Sequence, residues 1–310
     1  MPNALAAIIR RIRTSLYRTG ITPAITRLRG HNCILMLHGI DAQEIAADVF
    51  EEMVVHLKRH FRLLSLAALV AELDEPSAVT RPAVVLTFDD GLANNATVAY
   101  PILERHAVPA AFFVCPGLID AGSWLWTHEM RARLETLDES ARRALATHAP
   151  AWSGDAIVQH LKTLSPAARA QGIEAIRAAT PSFTPSAKQR QASDLVSWPQ
   201  LAALDPALVT IGSHSLSHDI MIGMDDAQLE REVVGSKARI EVMLGRPVEY
   251  FCYPNGDFDA AADARVRATY AGALSARVGM VPSRSPDRHA LPRLAVPYDV
   301  SSLALRMALA

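Results

Sequence analysis

The chain has 310 residues, half of them hydrophobic, with 31 basic against 32 acidic side chains and a formal net charge of −1. That length and apolar content exclude a disordered chain and suit one large α/β domain or two small ones. A balance so close to neutral excludes nucleic acid as the main partner, because phosphate binding needs a basic face. No apolar stretch approaches the ~20 residues that span a bilayer, and the opening lacks the continuous apolar core of a secretory signal, so a cytoplasmic protein is expected.

The neutral total hides an asymmetry. The first forty residues carry Arg10, Arg11, Arg13, Arg18, Arg27 and Arg29 and no acid. Leu5, Ile8, Ile9, Ile12, Leu16, Ile21, Ile25 and Leu28 fall among them at roughly helical spacing, which predicts a basic amphipathic arm over 1–30. Such an arm suits either an anionic membrane surface, here the inner face, or packing on its own domain.

From residue 31 onward, short β-rich runs alternate with helical patterns. Strands are predicted over 33–37, 83–88, 110–114, 209–213, 250–253 and 271–275, a rhythm that means parallel strands with helical crossovers. Between the first two, Phe50, Val54, Leu57 and Phe61 mark one apolar helical face within 46–73. The helix over 226–244 opens on an acidic turn and stops at Gly245. The section 120–199 breaks the rhythm, being helical, Ala-rich and punctuated by Pro150, Pro166, Pro181 and Pro185, and reads as a helical insertion between two strands. Cys33, Cys115 and Cys252 are scattered in apolar surroundings and read as buried reduced thiols.

In a parallel barrel the ligand site lies where the C-terminal ends of the strands meet. His38 follows the first run, Asp89-Asp90-Gly91 the second, His214-Ser215-Leu216-Ser217-His218 the fourth and Tyr253-Pro254-Asn255-Gly256 the fifth. Two adjacent carboxylates repel unless a cation or hydrogen-bond donors stabilise them. Catalytic zinc commonly takes three protein ligands from His and Asp or Glu, and Asp90, His214 and His218 supply that count if the chain turns helically between the two imidazoles. The same donors accept cobalt, nickel or manganese. His56 and His60 share the four-residue spacing but lie in a helix beside Lys58 and Arg59, and are expected to be ordinary helix-surface residues.

Thr87-Phe88-Asp89-Asp90-Gly91 and His214-Ser215-Leu216-Ser217-His218, in this order and strand context, resemble the first two signatures of the polysaccharide deacetylase family, the NodB-homology carbohydrate esterases. The resemblance runs from about Ile34 to Val296 and takes in the Ala110 to Val114 strand and Phe251-Cys252-Tyr253-Pro254-Asn255-Gly256. It implies a distorted (β/α)7 barrel that hydrolyses N-acetyl groups on sugars with one divalent metal, foremost Zn2+. Asp90, His214 and His218 would hold the metal and Asp89 would be the general base.

Two departures stand out. Many members carry Arg where this chain has Cys252, and the family's late Leu-x-x-His, source of a general acid, is replaced by Arg288-His289-Ala290-Leu291-Pro292-Arg293-Leu294. His289 is the candidate acid, with Arg293 as the other claimant to that place. A backbone N–H near Tyr253 is expected to share the oxyanion. Tyr253, Pro254, Arg293, His38 and Trp126 are the candidate substrate-binding residues, Trp124 and Trp126 offering either a stacking platform for a sugar ring or core packing. The leading expectation is a metal-dependent N-deacetylase acting on an acetylated amino sugar or lipid-linked glycan in envelope polysaccharide synthesis. The alternatives are a deformylase or related amidohydrolase, and a silent glycan- or lipid-binding protein.

Overall fold

A computed structural model describes residues 2–41, 44–74, 81–145, 151–282 and 286–310, with side chains from Ile9 onward in the first helix. Eight strands lie within it: β1 (Cys33–Leu37), β2 (Arg62–Leu63), β3 (Ala83–Phe88), β4 (Ala110–Val114), β5 (Val209–Ser213), β6 (Tyr250–Cys252), β7 (Gly272–Val278) and β8 (Leu291–Ala295). Every pairing between them is parallel, and β1 pairs with both β3 and β8. The seven strands other than β2 therefore close into a barrel, the architecture expected from the sequence; β2 lies against the first half of β3.

The barrel is uneven. β5 and β6 share a single register pair, Ser213 with Phe251, and the β7–β8 ladder shifts between Leu274 and Val278. Two strands are additional to the predicted six. β2 is two residues long, too short for any periodicity, and β8 contains Pro292 and Arg293, which break the apolar run by which the other strands are recognised.

Period-two alternation decides what fills the interior. On β3, Val84, Leu86 and Phe88 pack outward with Phe50 and Phe112, whereas Ala83 and Val85 join Ile34, Phe113, Cys252, Leu274 and Leu291 inside. Leu66, Leu69 and Val70, from the helix Leu66–Asp74, belong to the same inner cluster and close the lower end. Continuing up β3 on that inward face come Thr87 and then Asp89, so the apolar plug gives way to polar groups at the upper end. Gly212 keeps this interior compact: a Cβ there would meet Phe113 Cε1 at 2.4 Å.

Among the described residues, seven helices lie between β4 and β5, from Pro116–Ala121 to Trp198–Ala202. They carry a core of their own, with Trp126, Met130, Leu134, Ile157, Val158 and Ile176. At the N-terminus, helices Pro2–Arg18 and Ile21–Arg29 pack on the last helix, Val300–Leu309. Arg13 fastens them through Ser301 at 3.0 Å and Asp299 at 3.1 Å. His56, expected on the surface, is instead buried beneath this arm, its ring 5.2 Å from that of Tyr17. All three cysteines are buried and reduced.

Candidate active site

The site forms at the ends of β3 and β5, with β5 running two residues further in the shared register through β4. Asp89 N–H still bonds Leu37 O, at 2.9 Å, and His214 N–H bonds Val114 O, at 2.9 Å, so both residues are extensions of their ladders. Beyond Asp89 the chain reverses through two successive left-handed residues, Asp90 (φ 73°) and Gly91 (φ 67°). Glycine adopts that conformation freely and a Cβ-bearing residue does so at a cost, which marks Asp90 as a residue held by its surroundings.

The segment 214–218 is not a helical turn. Ser215 (φ 63°) and His218 (φ 60°) are both left-handed, and the loop between them is pinned from behind. The buried Glu232 carboxylate accepts Leu216 N–H at 3.0 Å and Ser217 N–H at 2.9 Å through Oε2, and Ser217 Oγ–H at 2.8 Å through Oε1. Ser215 Oγ accepts His218 N–H at 2.9 Å, and Trp126 Nε1 donates to His218 O at 3.3 Å. This scaffold, rather than helical spacing, brings the two imidazoles together.

One carboxylate oxygen meets both rings: Asp90 Oδ1 lies 3.5 Å from His214 Nε2 and 3.2 Å from His218 Nε2. The three residues are buried, and their donor atoms lie within 4.8 Å of one another. His214 Nδ1 is 2.7 Å from Cys252 O, a carbonyl that only accepts, so that nitrogen carries the hydrogen. In the neutral ring the Nε2 lone pair then faces the Asp90 carboxylate, acceptor against acceptor, an arrangement that a cation between them resolves. Two imidazole nitrogens and one carboxylate oxygen are the donor set of a catalytic zinc site, and these residues fit a divalent cation.

Asp89 stands beside this cluster. Arg293 reaches it from β8 with two parallel bonds, Nη1 to Oδ1 and Nη2 to Oδ2, each 2.8 Å. The guanidinium is itself located by Thr87 Oγ1 at 3.1 Å, Ser275 O at 2.9 Å and Cys252 Sγ at 3.1 Å. Burial alone would raise the Asp89 carboxyl, but the charge and hydrogen bonds of Arg293 foremost outweigh it and hold the group below the usual carboxylate range. Arg293 thus reaches inward from β8, two strands away from β6, and its guanidinium lies against the small Cys252 thiol. Arg293 borders the cavity, as expected of a substrate contact, and at the same time positions Asp89.

These groups floor a cavity of about 380 Å³ walled by His38, His128, Lys162, Asn255 and others. His38 lies where the sequence placed it. His128 and Lys162, which no motif announced, come from the helical insertion. His128 Nε2 is 4.0 Å from Asp90 Oδ2 and its Nδ1 3.2 Å from Ser193 Oγ. Burial pushes its pKa down to about 4 despite the nearby Asp90, so it faces the cavity as a neutral ring at pH 7. Lys162 is lowered by burial as well and bonds Asn255 Oδ1 at 2.8 Å.

The remaining expected positions differ in place. His289 precedes β8 at the opposite end of the barrel, where its Nε2 is 3.0 Å from Tyr270 O, and it does not border the cavity. Tyr253 borders the cavity as expected but is fully buried, its ring stacked on Phe258 at 4.0 Å, and its N–H is committed to Leu274 O at 3.1 Å, so that amide is not free to hold an oxyanion. Pro254 is buried at the start of a tight turn. Trp126 belongs to the core of the insertion and acts on the site only through the carbonyl of His218, while Trp124 bonds Asp194 at 2.7 Å.

At the strand ends of this closed parallel barrel a clamped carboxylate thus stands beside an Asp-His-His cluster. The polysaccharide deacetylase family model matches residues 77–272, and the chain belongs to that family. Among solved structures, the chain is similar to the Streptococcus pyogenes deacetylase PplD in complex with acetate, with 16% identity, 89% of this chain and 98% of that one covered, and a TM-score of 0.62. It is similar to IcaB from Ammonifex degensii at 17% identity, 91% and 98% coverage and a TM-score of 0.61. For the deacetylase domain of BpsB from Bordetella bronchiseptica the values are 16%, 87% and 97%, and 0.55. No curated protein matches the chain.

Proposed function

We propose that the protein removes N-acetyl groups from amino sugars of a glycan, with a divalent cation held by Asp90, His214 and His218. The observation that supports this reading most directly is the bidentate Arg293–Asp89 pair beside the three-residue cluster on the cavity floor. Bound there, the cation would supply Lewis acidity toward the acetyl carbonyl and acidify water near it.

Asp89 is the base. Kept ionised by Arg293, it accepts the proton of the attacking water on a lone pair that the guanidinium leaves free. The water oxygen bonds the acetyl carbon, the carbon–nitrogen bond breaks as the nitrogen takes up the proton that Asp89 accepted, and acetate and the free amine leave. His128 and Lys162, both able to donate hydrogen bonds, orient the sugar from the wall built by the insertion.

The test is acetate release from N-acetylated amino-sugar oligomers by protein stripped with a chelator and then refilled in turn with zinc, cobalt, nickel or manganese. N-formylated analogues run in parallel distinguish a deformylase. Turnover that survives complete stripping would refute the proposed use of the cluster.

A further inference from the structure

The second helix of the N-terminal arm, Ile21–Arg29, is packed inside out. Its buried face is formed by Thr22, Pro23 and Thr26, and the helix lies on the C-terminal helix Val300–Leu309. Ile21, Ile25 and Leu28, spaced so as to share one face, point the other way into solvent, Leu28 at 87% exposure and Ile21 at 45%. An amphipathic helix ordinarily buries its aliphatic stripe against the protein and leaves its polar face outside. Ile9 and Ile12 of the first helix are exposed too.

Around these residues stand Arg10, Arg11, Arg18, Arg27 and Arg29, all exposed. Among the described residues none of the five pairs with an acid, and the first forty residues contain none. Arg13 alone is occupied, and its bonds to Asp299 and Ser301 tie the arm to the barrel as one piece. Among the described residues no helix is long and apolar enough to cross a membrane.

We propose that the outward face of this arm docks the protein on an anionic lipid bilayer, the aliphatic stripe entering the headgroup boundary and the arginines meeting lipid phosphates. The charge pattern selects this occupant. A second copy of the chain would set five arginines against five, which disfavours self-association through the same face, and an uncharged apolar partner would leave the arginines unused.

The experiment is flotation of the full-length protein with phosphatidylglycerol-containing vesicles and with pure phosphatidylcholine vesicles. The protein is expected to float with the anionic vesicles and to be released by salt. Leu28→Glu should weaken partitioning about tenfold or more, and Arg27→Ala and Arg29→Ala about fivefold each. Equal partitioning onto neutral vesicles, or flotation indifferent to Leu28→Glu, would overturn the proposal. So would a wild-type dimer that Leu28→Glu dissociates and that ignores vesicles. Acetate release from a soluble oligomer should be the same in Leu28→Glu as in the wild type, so a failure of docking leaves the proposed reaction standing.

Discussion

Arg293 grips both oxygens of Asp89 from 204 residues further along the chain, its guanidinium lying against the Cys252 thiol. The pair links the last strand of the barrel to the residue that carries the proposed proton transfer. Removing the guanidinium would strand a buried carboxylate, a loss of about 3–5 kcal/mol. Arg293→Ala should therefore lower the melting temperature and reduce kcat/KM by about a hundredfold or more. The double variant Cys252→Arg with Arg293→Ala, which moves the arginine two strands along, should regain part of both. Melting curves and steady-state kinetics on the three proteins check this, and no recovery in the double variant would count against the exchange of positions.

The cluster and the base should separate experimentally. Asp90→Ala, His214→Ala and His218→Ala are each expected to lose bound cation and activity together. Asp89→Asn should retain the cation while activity falls by about 10²–10⁴, the range for removing a positioned base. Metal analysis by mass spectrometry alongside acetate release distinguishes the two outcomes.

Glu232 lies outside the cavity, yet three hydrogen bonds run from the 216–217 backbone and the Ser217 hydroxyl to its carboxylate. Glu232→Ala should release the loop that sets His218 and weaken cation affinity about 10–100-fold, as is usual for residues that orient ligands. A chelator competition titration reads this directly, with circular dichroism to verify the fold.

His289→Ala is expected to leave turnover unchanged, because that ring lies at the far end of the barrel against Tyr270 O. His128→Ala should instead raise KM, because this imidazole walls the cavity. The comparison needs only kinetic constants for the two variants on one oligomer.

His56 gives the protein an acid-sensitive joint. Burial pushes its pKa down to about 4 from the ordinary 6.5, with His60 and Arg59 adding to the effect. Between these values the unfolded chain binds a proton that the folded protein refuses, so stability falls as pH drops from about 6.5 to about 4 and this contribution does not grow below that. His56→Leu should flatten that part of the melting-temperature profile, measured by calorimetry at intervals across the window.

The three-residue cluster and the aspartate beside it were legible because Asp89-Asp90-Gly91 and His214 to His218 stand at the ends of apolar runs, where strand periodicity dictates location. The loop's manner of closing was not, since four-residue spacing suggested a helical turn and the left-handed backbone at Ser215 and His218 depends on Glu232, a contact of higher sequence separation. Arg293 was recognisable as a departure from the family pattern, but which carboxylate it serves depends on barrel closure. His128 and Lys162 were invisible for the same reason: short-range pattern says nothing of which helix of an insertion leans over the strand ends. His289 misled because a histidine close to the expected position in the chain sits at the wrong end of its strand.

The separate core of the insertion, built on Trp126, Met130 and Leu134, has an evolutionary consequence. Its folding requirements are met locally, so substitutions at His128, Lys162 or their neighbours can reshape what the pocket admits without disturbing the reactive centre on the strands. One scaffold could in this way be retuned from glycan to glycan by drift in a single module.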